Sequence, residues 1–237
     1  MRTLELSPRL QSVAGLVPEG ARLADVGTDH AYLPAWLILR GIIPGAIATD
    51  LRKGPLERAR ATAERYGLTD VMDFRLCNGL AGVSPDETDA VAIAGMGGET
   101  IAEILSAAPW LQMGGKTILL QPMSAQPELR RWLQCHGYTI KQELLSKEGE
   151  TIYVAFQVYA GAMEPLTPGE QWAGRQHRDM DAPLRGAYLD RLAAQVRRAL
   201  DGLNRSSRSS DQVRLTEMKA VYQNLLRLSE EWSTWQQ

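Results

Sequence analysis

Between Arg22 and Gly161 short apolar runs alternate with amphipathic stretches, and this alternation narrows the possible folds more than any other feature. RLADV (22–26), GAIATD (45–50), DFRLC (73–77), DAVAIAG (89–95) and KTILLQP (116–122) read as strands. AYLPAWLILR, PLERARATAERYG, ETIAEILSAAPWL and QPELRRWLQCHG between them read as helices, with Pro55 tolerated in a first turn and Gly67 and Gly137 as C-terminal caps. Strands and helices that alternate require right-handed crossovers, and hence a parallel sheet covered on both faces. The pattern then changes, since YTIKQELLSKEGETIYVAFQVYAG holds two consecutive strands around Lys147-Glu-Gly149. The expected fold is therefore α/β, with a seven-stranded, mostly parallel sheet that ends in an antiparallel hairpin. That ending is unlike the six-stranded dinucleotide fold.

MEPLTPGEQ, after Gly161, is rich in Pro and Gly and marks the expected boundary between residues 1–161 and a helical region, 162–237. There Leu184, Tyr188, Leu192, Val196, Leu200 and Leu203 recur at three- or four-residue steps, as do Leu215, Met218, Tyr222, Leu225, Leu228 and Trp232. With NRSSRSSDQ as the loop, the two stripes predict a coiled-coil-like antiparallel helical hairpin. Arg191, Arg197, Arg198, Arg205 and Arg208 outnumber Asp190 and Asp201, which makes either a solvated helix face or a contact for an RNA backbone. Any such contact is local, because the whole chain carries a formal charge of −2. Cys77 and Cys135 are isolated and form no metal-ligand spacing, as expected of a reducing compartment with no structural zinc. With no apolar leader in MRTLELSPRL and no membrane-length run, the expectation is a soluble cytoplasmic protein with no membrane partner. Oligomeric state is left open, with a monomer sufficient.

The chemistry concentrates at the strand ends. In DVGTDHAYLP, Asp25 closes the first strand and Gly27 opens the turn, where a missing side chain lets a ligand approach the backbone. Asp50, followed by Leu51, closes the second strand, where an acid takes the ribose hydroxyls of an adenosine cofactor. A dinucleotide would need G-x-G-x-x-G to hold its diphosphate, whereas this turn reads G-T-D-H-A-Y. One glycine beside Asp25 suits the cationic end of S-adenosyl-L-methionine instead. Asn78-Gly79 after the third strand either recognises adenine or simply makes a turn. Ala94-Gly-Met-Gly-Gly98 follows the fourth strand and implies a close backbone approach, to a ligand or to a packing neighbour. Gln121-Pro-Met123 ends the fifth strand on the same edge.

DVGTDHAYLP, ATDLRKGPLERA, NGL and IAGMGGETI, in this order and spacing, resemble the TrmK family of tRNA (adenine(22)-N1)-methyltransferases. The similarity runs on through LLQPM, LRRWL and ETIYVAFQVY and covers residues 5–160. It implies a Rossmann-like class I methyltransferase fold, S-adenosylmethionine as cofactor and tRNA as substrate. Where the family pattern favours Asp-Gly-Leu this chain has Asn78, whose amide oxygen can still accept a bond from the adenine amine. The cofactor set so implied is Asp25, Gly27, His30, Asp50, Leu51, Asn78, Gly79, Ala94, Gly95 and Met96. Methylating N1 leaves a cationic adenine, so a carboxylate near the acceptor would stabilise charge or take the N6 proton. Asp29 is the acid placed for this, and its alternative is capping the helix that starts near Tyr32. His30 would bind cofactor or orient Asp29, and Tyr32 would stack on an extruded base. Gly97, Gly98, Arg197 and Arg198 complete the substrate candidates, with Arg2 and Arg9 as further backbone contacts. Rival readings are a class I methyltransferase of a small molecule or protein, and a cofactor-binding interaction protein without turnover. An NAD oxidoreductase is disfavoured by the missing glycines.

Overall fold

Alanine, valine, isoleucine and leucine fill most of the centre of the sheet, where both faces are covered and buried polar residues such as Asp25, Asp50 and Gln121 stand toward the carboxyl ends of the strands. The computed structural model describes residues 4–205 and 209–236, so Arg2, Arg208 and the middle of the expected loop lie outside the described residues. Seven strands form one sheet among them: β1 (Leu23–Val26), β2 (Ala46–Asp50), β3 (Met72–Leu76), β4 (Ala90–Gly97), β5 (Thr117–Ser124), β6 (Tyr138–Glu148) and β7 (Thr151–Ala160). Their order is β3-β2-β1-β4-β5-β7-β6, parallel from β3 to β5, with β7 antiparallel to both β5 and β6. This is the expected parallel sheet with its terminal hairpin. The order reverses between β1 and β4, and in open α/β sheets ligands bind beyond the carboxyl ends of the strands at that reversal.

The helices follow the expected crossovers: α2 (Tyr32–Leu39), α3 (Lys53–Tyr66), α4 (Gly98–Ser106) and α5 (Gln126–Cys135), in addition to α1 (Pro8–Ala14) ahead of β1. The helix expected over 99–111 stops at Ser106, and the chain continues in a 3₁₀ turn, Pro109–Met113, because Pro109 cannot extend it. β4 runs on to Gly97 through two register shifts against β5, so the glycine-rich stretch is partly a bulged strand end.

The stretch expected to be a linker contains a helix, α6 (Pro168–Ala173), held by a capping box between Thr167 and Glu170. α7 (Arg185–Leu203) and α8 (Ser209–Trp235) follow, and the expected stripes pack together. A Cβ at Gly186, near the start of α7, would lie 3.7 Å from the ring of Trp232 near the end of α8, which makes the pair antiparallel. This cluster also takes Leu145 and Ile152 from the β6–β7 hairpin. A polar junction fixes the helices to the sheet. Arg130 of α5 is fully buried, binds both carboxylate oxygens of Glu143 at 2.9 and 2.6 Å, and donates to the carbonyls of Gln171 and Trp172 on α6. Arg185, also buried, donates to the carbonyls of Ala173 and Gly174. Two cations thus meet the negative end of a one-and-a-half-turn helix.

Candidate functional site

The turn after β1 is wound unusually tightly. Gly27 has φ +70°, Asp29 +47° and Ala31 +54°, so three alternate residues take the left-handed conformation. Such a conformation costs a non-glycine residue about 1–2 kcal/mol, and here it is held by the Gly27 and Thr28 N–H groups donating to the Thr49 carbonyl at 2.8 and 3.1 Å. A Cβ at Gly27 would meet the movable end of the Met96 side chain, so the β1 and β4 turns touch, and it is the positive φ that favours glycine there. The start of α2 removes one of the two roles expected for Asp29: its N-cap residue is Ala31, with no side-chain cap bond, so the carboxylate of Asp29 is not the cap.

Two cavities open on this edge. The larger, about 460 Å³, is lined by Gly27, Asp50, Leu51, Asn78, Gly79, Ala94, Gly95 and Met96, with Asp29 on its rim and Thr100, Glu103 and Ile104 of α4 behind. Its size suits a nucleoside-bearing ligand. Thr49 ties the β2 end to the next loop by donating to the Gly79 carbonyl at 3.0 Å, and the Arg52 N–H donates to Asp50 at 2.9 Å. The Asn78 carbonyl accepts from the Ala81 N–H, so Asn78 closes a turn and lines the cavity as well. The second cavity, about 290 Å³, is lined by Arg9, Leu10, Asp25, Thr28, His30, Tyr32 and Leu33. Gly27, Asp29, Ala94 and Gly95 line both, so the two spaces meet across these four residues.

The electrostatics of the meeting point are uneven. Asp25 is buried and accepts a 2.5 Å hydrogen bond from Thr28, but it forms no ion pair among the described residues. Burial pushes its carboxyl up to about 6, against the Thr28 hydrogen bond and with help from the nearby charge of Asp50. Asp29 by contrast is 57% exposed and paired with Arg58 of α3. The His30 ring stacks on Tyr32, with centroids 5.0 Å apart. Across the second cavity, Arg9 donates to Gln121 at 2.6 Å, and this fully buried amide oxygen also accepts from the Gly95 N–H at 3.1 Å.

Most of the expected residues converge here. Gly97 and Gly98 do not line either cavity: a Cβ at Gly98 would lie 2.6 Å from the Ala125 carbonyl oxygen, so this glycine allows α4 to pass the end of β5. Arg197 and Arg198 are exposed on α7, away from both cavities, while Arg191 is bound to the Glu150 carbonyl in the hairpin turn. Sequence reasoning missed Arg58 as the partner of Asp29 and Thr28 as the partner of Asp25. The second was readable from the three-residue spacing; the first pairs residues brought together only by the crossover. Among the described residues no group of three or more His, Cys, Asp or Glu is placed to hold a metal, and no helix is long and apolar enough to cross a membrane.

Residues 6–156 match the methyltransferase domain family. A tRNA (adenine(22)-N(1))-methyltransferase of Bacillus subtilis (strain 168) is 38% identical over 169 residues, 71% of each chain. The crystal structure of the B. subtilis M1A22 tRNA methyltransferase TrmK superposes with a TM-score of 0.85 at 28% identity, covering 96% of this chain and 100% of that one. M. capricolum TrmK in complex with S-adenosyl-homocysteine superposes at 0.77 and 26% identity, covering 95% of this chain and 98% of that one.

Proposed function

This chain belongs to the tRNA (adenine(22)-N1)-methyltransferase family, and from that premise we propose that its two joined cavities bring S-adenosylmethionine and adenine 22 of a tRNA together at Asp29. It is an S-adenosylmethionine-dependent tRNA methyltransferase. The observation that carries the assignment of residues is the meeting of the cavities across Gly27, Asp29, Ala94 and Gly95.

The larger cavity fits the cofactor. Asp50 accepts from ribose hydroxyls, Asn78 accepts from the adenine amine, and Leu51 and Met96 supply apolar cover. Asp25 lines the second cavity next to the shared Gly27 and has no ion-pair partner among the described residues, so it suits the ammonium of a methionine end that reaches across from the larger cavity. The cofactor supplies a methyl group on a sulfonium, a leaving group that needs no acid. Positioning the acceptor nitrogen is then the main task of the protein. The second cavity admits the target adenine once it is extruded from the RNA, with Tyr32 offering a ring face. Asp29 accepts a hydrogen bond from N6 and stabilises the positive charge that N1 acquires, or takes the N6 proton. His30, against Tyr32 and 3.8 Å from the Asp29 carboxylate, steadies both. Residues 162–237 form the second unit of this reading, which takes the protein as a monomer working in the cytoplasm.

The deciding experiment incubates the protein with labelled S-adenosylmethionine and an unmodified tRNA transcript carrying adenine 22. A reverse-transcription stop at that position, abolished when the base is changed, is the expected result. Incorporation elsewhere, or none despite cofactor binding, would refute the assignment.

A further inference from the structure

A third hollow, about 500 Å³, continues from the second cavity, sharing His30 and Tyr32 with it and running along α3. Its wall is one face of that helix: Arg58, Ala61, Thr62, Arg65 and Tyr66 recur at three- and four-residue steps, with Leu4 and Glu5 on the opposite rim. Ala61 and Thr62 are small, so the middle of the wall is low. Arg58 and Arg65 stand at its two ends, about 10 Å apart along the helix axis. Arg65 is exposed, forms no ion pair among the described residues, and lies over the Tyr66 ring at 5.6 Å. Tyr32 is an exposed aromatic at the other end.

Two spaced cations interleaved with aromatic rings match a nucleic-acid strand, which offers phosphates and bases in alternation. We propose that this groove holds the RNA strand adjoining the target adenine, with Arg58 and Arg65 on separate phosphates and Tyr66 against its nucleosides, Tyr32 being kept for the target base at the junction with the second cavity. The proposal rests on the tRNA-methyltransferase reading and adds where the substrate enters. It also gives the Arg58–Asp29 pair a purpose. A phosphate that engages Arg58 competes with the Asp29 carboxylate and frees it for the adenine only when RNA is in place.

Arg65 is the residue to change, because altering Arg58 would disturb Asp29 directly. In the full-length protein, Arg65→Glu should raise KM for tRNA by roughly tenfold near 0.1 M salt, while kcat and the Kd for S-adenosylmethionine stay within about twofold. The slope of log KM against log salt should flatten by about one. Arg65→Lys, which keeps a point charge for a phosphate, should stay close to wild type. An Arg65→Glu variant with unchanged KM, or a Lys variant as weak as the Glu variant, would overturn the groove. A wild-type protein that leaves adenine 22 unmethylated would instead overturn the reading beneath it.

Discussion

Two arginine–carboxylate pairs stand on this molecule in opposite settings. Arg130 and Glu143 join the sheet to the helices, with side chains 0% and 10% exposed, and every oxygen and most N–H groups engaged. Arg58 and Asp29 face each other at the mouth of the cavities, 46% and 57% exposed. Burial alone would push the Arg130 guanidinium down, yet the Glu143 carboxylate holds it above its usual range. An exposed pair gains only about 0–1 kcal/mol and exchanges partners freely, whereas a buried pair leaves an uncompensated charge if one member is lost. The same two functional groups therefore make a fixed junction in one place and an exchangeable contact in the other.

Removing one member of each pair tests that contrast. Glu143→Ala should destabilise the protein by about 3–5 kcal/mol, read as a lowered urea midpoint, with methylation per folded molecule retained. A neutral result would mean that the helices are held by the apolar cluster alone. Asp29→Ala should leave the unfolding free energy from urea titration within about 0.5 kcal/mol of wild type and lower kcat by roughly 10²–10³-fold, with cofactor affinity kept. If it unfolds the protein instead, the strained turn, and not the chemistry, is what Asp29 serves.

The same contrast separates what was readable in the sequence from what was not. Short apolar runs disclosed the strands, because those of the central sheet are buried on both faces, and three- and four-residue periodicity disclosed the stripes of α7 and α8, which are buried on one. The acids at strand ends were legible from their place after the apolar runs: Asp25 is the penultimate residue of β1, and β2 finishes at Asp50, on one edge. Pairings across crossovers were not. Nothing local joins Arg130 to Glu143 or Arg58 to Asp29, and α6 was hidden because Pro168-Gly169, which starts the helix, reads equally well as a linker. Gly98 was assigned to substrate for similar reasons, since a glycine needed for packing and one needed for a ligand look identical. Gly98→Ala tells them apart. With its Cβ 2.6 Å from the Ala125 carbonyl oxygen, it should cost about 1–3 kcal/mol of stability while the Kd for S-adenosylmethionine stays unchanged. A weakened Kd in a protein of normal stability would return Gly98 to the binding site.

Asp25 is the third case, a buried carboxylate with a hydroxyl partner and no cation paired with it among the described residues. Its carboxyl lies near 6 when folded, above the usual 3.8, so between about pH 4 and pH 6 the native state keeps a proton that the unfolded chain has lost. The stability from this group is thus complete below pH 4, falls as pH rises and is gone above 6, a swing of about 3 kcal/mol. A bound ammonium reverses the preference, because it favours the carboxylate. The Kd for S-adenosylmethionine should accordingly weaken by about tenfold for each pH unit below 6, and calorimetry in buffers of different ionisation heat should detect proton release on binding. Asp25→Asn should remove the pH dependence of both quantities and stabilise the cofactor-free protein at neutral pH. A Kd that stays flat from pH 7 to 5 would show that the ammonium lies elsewhere, and that the burial of Asp25 serves the turn as that of Arg130 serves the junction.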